Sequence, residues 1–132
     1  MFRKGGNPNA MTSDFQTPLH IACSILPSVI GETMLPLHVE VLISNGADVR
    51  VVNNRGKSAL HIASGMGHSK IAEVLLDKGA DINQLDDASN SCLHLAVTYG
   101  GEYFNAQVVS SLNFEGVLKT IELLLKRGIK WD

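Results

Sequence analysis

The sequence predicts an all-α fold, a solenoid of stacked helix–turn–helix units running along one chain of 132 residues. Three observations carry this reading. A six-residue segment recurs as Thr17-Pro18-Leu19-His20-Ile21-Ala22, Ser58-Ala59-Leu60-His61-Ile62-Ala63 and Ser91-Cys92-Leu93-His94-Leu95-Ala96. Downstream of each copy stands a glycine tetrad: Asn45-Gly46-Ala47-Asp48, Lys78-Gly79-Ala80-Asp81 and Arg127-Gly128-Ile129-Lys130. The spacing is fixed, since His61 and His94 lie 33 residues apart, and so do Gly46 and Gly79. Self-similarity at a period of about 20–50 residues is the signature of a repeat architecture, in which one unit cannot bury its apolar face alone.

Two intervals exceed the period. His20 and His61 are 41 residues apart, and Gly79 and Gly128 are 49 apart. Both excesses fall between the histidine and the following glycine, so both are insertions inside a repeat. The frame is then a remnant of an upstream repeat over 1–11, a repeat over 12–52 with an insertion near 27–34, a regular repeat over 53–85, and a repeat over 86–132 with an insertion near 100–115. The second insertion is apolar for a loop, with Tyr103, Phe104, Val108, Val109, Leu112 and Phe114. Long loops in compact domains are uncommon and often functional, so it either folds back as a short extra helix or touches a partner.

Local signals define the helices. Thr17, Ser58 and Ser91 are hydroxyl N-caps, which satisfy free N–H groups at a helix start. Pro18 suits the first helical position, where its missing N–H costs nothing. A second helix of the middle repeat is expected over Lys70 to Lys78, with Ile71, Val74 and Leu75 at helical spacing and Gly79 as its terminating glycine. A last helix is expected over Val117 to Arg127. Its Leu118, Ile121, Leu123, Leu124 and Leu125 are more apolar surface than one neighbouring repeat covers, although Trp131 could fold back over this end, so self-association or marginal solubility is expected unless further repeats or a partner cover it. Asn53-Asn54-Arg55-Gly56 is a turn sequence.

Composition narrows the class. Hydrophobic residues make up 45% and charged residues 18%, the balance of one globular domain. The net charge is −2 and no basic tract stands out, which leaves nucleic-acid binding without electrostatic support. No run of apolar residues suits a signal peptide or a membrane span. Cys23 and Cys92 sit in apolar helical patterns, so a reducing compartment, cytoplasmic or nuclear, is expected.

The TPLH-type segment at a 33-residue period resembles the ankyrin-repeat family, over nearly the whole chain. The sequence departs from the family pattern where Ala59 and Cys92 replace proline, and where Gly128-Ile129-Lys130 stands for the usual Gly-Ala-Asp. The resemblance implies short β-hairpin fingers beside the helices, and a partner protein held by finger tips and inner helices. Carried over by repeat position, the implied tips are Asn54, Arg55 and Lys57, then Asp87, Ala88 and Asn90. The shoulders are Val52 and Leu85, and the inner-helix positions include Met66, Thr98 and Tyr99. Met66 and Tyr99 are the expected anchors, since methionine and aromatic residues are enriched at interface cores.

Catalytic and metal readings fail on spacing. His20, His61 and His94 occupy equivalent places in successive repeats, about 8–10 Å apart, and cannot share one ion. Each is expected to bond its hydroxyl cap and nearby backbone, tying repeat to repeat. Asp48 and Asp81 read as turn residues, Ser64 to Lys70 as an interhelical turn and not a phosphate loop, and the cysteines as inert core. The expected function is a non-catalytic protein-interaction module with no metal, no cofactor and no membrane insertion. The alternatives are a regulatory or targeting ankyrin segment of a larger enzyme or channel, and an NF-κB-inhibitor-like ankyrin protein.

Overall fold

The hydroxyl caps start helices where the sequence places them. A computed structural model describes residues 7–24, 35–98 and 114–129. Its helices are α1 (Pro18–Cys23), α2 (Leu35–Ser44), α3 (Ala59–Gly65), α4 (Ser69–Asp77), α5 (Cys92–Thr98) and α6 (Phe114–Lys126). Thr17 caps α1 and Ser58 caps α3, each in a reciprocal capping box with the histidine three residues on. Ser91 makes the same bonds with His94 at the start of α5.

The helices form two rows. α1, α3 and α5 pack successively as an inner row, and α2, α4 and α6 as an outer row. Within each repeat the inner helix also packs on its outer partner. The core lies between the rows: Leu19, Leu60 and Ile62 come from inner helices, and Val39, Ile71, Leu75 and Leu124 from outer ones, all fully buried. The second helix of the middle repeat starts and ends one residue earlier than expected. The last starts three residues earlier, at Phe114, so the final residues of the expected 100–115 insertion form its first turn. The rest of that insertion, the 27–34 insertion, Tyr99 and Trp131 lie outside the described residues.

The three outer helices end alike. Gly46, Gly79 and Gly128 have φ of 100°, 99° and 84°. That left-handed turn lets the next N–H fold back: Ala47 N–H donates to Leu42 O, Ala80 to Leu75 and Ile129 to Leu124, at 3.0, 3.0 and 3.1 Å. This is the Schellman closure, which satisfies carbonyls the helix leaves open. It explains the Gly128-Ile129 departure. Ile129 takes the place of the usual alanine and is buried beside Leu124, the apolar contact that accompanies this motif.

The expected fingers are present as closed loops. Thr12 N–H donates to Gln16 O, Asn53 to Lys57 and Asp86 to Asn90, at 2.9, 3.0 and 3.0 Å. Successive fingers are joined by one backbone bond each, Asn54 N–H to Asp14 O and Asp87 N–H to Arg55 O, both 3.0 Å. One bond per junction makes no ladder, and no strand forms among the described residues.

Leu60 and Leu75 sit at the centre of this arrangement, each with no exposed surface. Leu60→Ala and Leu75→Ala are each expected to destabilise the fold by about 2–5 kcal/mol. Urea unfolding checks this, and unchanged midpoints would contradict the repeat register.

Candidate protein-binding surface

The surface rests on joints between repeats, and the joints start at the histidines. Thr17 N–H donates to His20 Nδ1 at 3.1 Å, and the Thr17 hydroxyl lies 2.9 Å from the same nitrogen. Nδ1 is therefore an acceptor, which puts the ring proton on Nε2. Nε2–H donates to the Lys57 carbonyl at 2.9 Å, across to the next repeat. The expectation that these rings tie repeat to repeat is met here by a single side chain. His61 repeats the cap, with Ser58 N–H at 3.1 Å from Nδ1. Its buried Nε2 faces the backbone of the third finger without closing a hydrogen bond.

The first residue of the second and third fingers does two jobs. One oxygen closes its own loop: Asn53 Oδ1 accepts from Arg55 and Lys57 N–H at 2.9 and 3.1 Å, and Asp86 Oδ1 from Ala88 and Asn90 N–H at 2.9 and 2.8 Å. Thr12 Oγ1 does the same for Asp14 and Gln16, at 3.3 and 3.2 Å. The remaining group reaches back to the previous finger. Asn53 Nδ2 donates to Gln16 Oε1 at 3.3 Å, and Asp86 Oδ2 pairs with Lys57 Nζ at 2.6 Å. Sequence reasoning missed this set. Its signal is an Asx or hydroxyl residue five before each N-cap, a position where such side chains bond their own backbone two residues on.

Finger geometry also fixes one backbone angle. Phe15, Gly56 and Ser89 are equivalent, and all have φ between 61° and 73°. At Gly56 a Cβ would run into the backbone and carboxylate of Asp87, so the close approach of these two fingers needs glycine.

A third link runs to the outer row. Asn9 Nδ2 donates to Gly46 O at 2.9 Å, and the equivalent Arg50 Nε donates to Gly79 O at 3.0 Å. Each finger base thus caps the end of the next outer helix. Asp48 and Asp81 take Arg50 and Asn83 N–H at 2.9 and 3.0 Å, the turn role read from sequence.

Above these joints lie the residues expected to meet a partner. Asn54, Arg55 and Asp87 are exposed at the tips, and Asn90 is half-buried. Lys57 is a correction: it is buried, with its ammonium spent on Asp86, because its long stem points along the stack and not outward. Met66 is half-buried against the core, and Thr98 is exposed with its hydroxyl donating to His94 O at 2.9 Å. The shoulders Val52 and Leu85 gain a member that the sequence reading did not name. Met11 is equivalent to both, and Met11 and Leu85 are 50% and 54% exposed. Together the three form an apolar stripe of one residue per repeat.

The remaining candidates are structural. Cys23 and Cys92 are buried and free, and burial pushes the Cys92 thiol up to about 12 and the Cys23 thiol further. Ser64 to Lys70 forms the turn from α3 into α4. Among the described residues no His, Cys, Asp or Glu cluster could hold a metal ion, and no helix is long and apolar enough to cross a membrane.

Paired helices in two rows, with closed fingers stacked beside them, define a helical repeat solenoid. The family model described as Ankyrin repeats (3 copies) matches residues 1–86 and 32–132, and the chain belongs to the ankyrin-repeat family. Ankyrin repeats are generally protein-interaction modules and typically non-enzymatic.

The joints carry a pH dependence. Burial lowers the affinity of His20 and His61 for a proton below the ordinary 6.5, against the opposing pull of the carbonyls and, at His61, of Asp86. The unfolded chain protonates these rings near 6.5 and the folded chain only at lower pH, so stability falls as pH drops below that value. For Asp86, burial works to raise the carboxyl, but Lys57 and the N–H groups of Asn90 and Ala88 outweigh it and hold it below the ordinary 3.8. Its contribution is present above that value and is lost as pH falls through the depressed one. The urea midpoint should therefore hold steady above about pH 7.5 and decline towards about pH 5.5. His20→Gln with His61→Gln, which keeps the capping box, should flatten that limb. A wild-type midpoint that rises on acidification would contradict the neutral-ring assignment.

Proposed function

We propose that the chain is a non-catalytic protein-binding module whose partner lies across the finger row. The single observation behind this reading is the stripe of Met11, Val52 and Leu85, apolar at the same position of every finger, with Met11 and Leu85 exposed and Val52 half-buried. A stack positions these side chains about 8–10 Å apart, the spacing of packed helices. Asn54, Arg55 and Asp87 supply a polar border, and Met66, Asn90 and Thr98 extend the surface toward the inner helices. Apolar centres with polar rims are how protein interfaces are built.

The non-catalytic reading is supported by how the reactive groups are used. His20 has both ring nitrogens engaged in structural bonds, and both thiols are buried with their ionisation suppressed. Unpaired thiols also favour a reducing setting, cytoplasmic or nuclear.

Met11→Asp with Leu85→Asp should weaken partner capture by about tenfold or more, while leaving the circular dichroism unchanged. Lys70→Glu on the outer row should leave capture intact. Affinity capture compared across the three proteins tests this. Undiminished capture by the Met11/Leu85 variant would move the site off the finger row.

A further inference from the structure

Two junctions lie within the chain, one between the first and second repeats and one between the second and third. Their apolar packing is alike. Ile62 and Leu95 hold equivalent positions and are 1% and 2% exposed, and the equivalent Ala59 and Cys92 are 1% and 0% exposed. Their polar groups differ. At the first junction Gln16 and Asn53 meet as neutral amides at 3.3 Å, and the His20 Nε2–H reaches the Lys57 carbonyl. At the second, the equivalent amide positions hold Lys57 and Asp86, a pair of full charges whose side chains are 7% and 0% exposed. The His61 Nε2–H lies toward the Asn90 and Gln84 carbonyls without bonding either. Ser64 stands where the first repeat has Cys23, and its hydroxyl is buried against the Cys92 thiol with no hydrogen-bond partner. Among the described residues, His61 Nε2 and Ser64 Oγ are the two buried side-chain polar atoms left without a partner, and both belong to the second junction.

Desolvation therefore separates the junctions. A buried N–H or O–H without a partner keeps the full cost of leaving water, and the attraction within a buried ion pair offsets its own desolvation only in part. Opening the second junction returns all of these groups to water. The paired, neutral groups of the first gain little from the same change. Interfaces in a repeat stack are separate contributions to stability, so one can part while its neighbour holds. We propose that the second junction is a conformational seam, which parts reversibly in the folded protein while the first junction stays closed and so brings the Cys92 thiol to solvent. The seam makes no use of the finger stripe, so the two readings fail independently.

The chain carries its own reporters in its two cysteines. Cys92 opens α5 and lies against Ser64 of α3 across the second junction. Cys23 ends α1 at the position of Ser64, on the side turned to the second repeat. Both thiols are buried, so each reacts only when its surroundings open. The full chain would be pulsed with N-ethylmaleimide at neutral pH and the labelled peptides quantified by mass spectrometry. Each rate is divided by that of the same cysteine in the urea-unfolded chain. On this scale Cys92 should react about tenfold or more faster than Cys23. Two variants test the cause. Ser64→Ala removes the unpartnered hydroxyl, and Lys57→Gln with Asp86→Asn gives the second junction the amide pair of the first. Each should slow Cys92 by about threefold or more and leave Cys23 unchanged. The variants act through different groups, so if circular dichroism shows that one is unfolded, the other and the wild-type ratio still decide. Equal normalised rates, a faster Cys23, or unchanged Cys92 labelling in a folded variant would overturn the proposal.

Discussion

The structure depends on Lys57 acting in both directions along the stack. Its carbonyl accepts a hydrogen bond from the His20 ring N–H of the repeat before it, and its ammonium pairs with Asp86 of the repeat after it. Its N–H meanwhile closes its own finger on Asn53. One residue thus fixes the shape of a loop and the register of two junctions. The arrangement works only if His20 is neutral with its proton on Nε2, and the Thr17 N–H aimed at Nδ1 enforces that. A hydroxyl three residues before a histidine is therefore both the start signal of a helix and the clamp on a tautomer.

A stack built this way is quasi-one-dimensional, with stability divided between each repeat and its interfaces. The interfaces hold polar joints on the finger side and apolar packing between the helix rows. The joints are sheltered enough for Asp86 to have no exposed side-chain surface, so an unpaired partner there is costly. The finger exteriors carry no such constraint. That separation leaves the shoulders and tips to vary for recognition, while the residues beneath them hold the geometry.

Much of the fold was legible in the sequence. The hydroxyl–histidine pairs and the glycine tetrads marked helix starts and ends because capping chemistry is local and has few solutions. The structural role of the histidines followed from their one-per-repeat spacing. The site was less legible. Lys57 reads as an exposed tip because a lysine in a turn is usually solvated. Its burial depends on Asp86, which lies 29 residues on, in another finger. Met11 was missed because it falls in the segment read as an upstream remnant, although it shares the position of Val52 and Leu85. The start of the last helix was read three residues late because Gly116 interrupts its apolar pattern, a weak breaker that packing overrides.

A double-mutant cycle on Lys57 and Asp86 tests the two-way joint most directly. Lys57→Met, Asp86→Asn and the double variant would be unfolded in urea at neutral pH beside the wild type. The joint predicts a coupling energy of about 0.5–3 kcal/mol, with the double variant losing less than the two single losses combined. Additive losses, with coupling below about 0.3 kcal/mol, would contradict it.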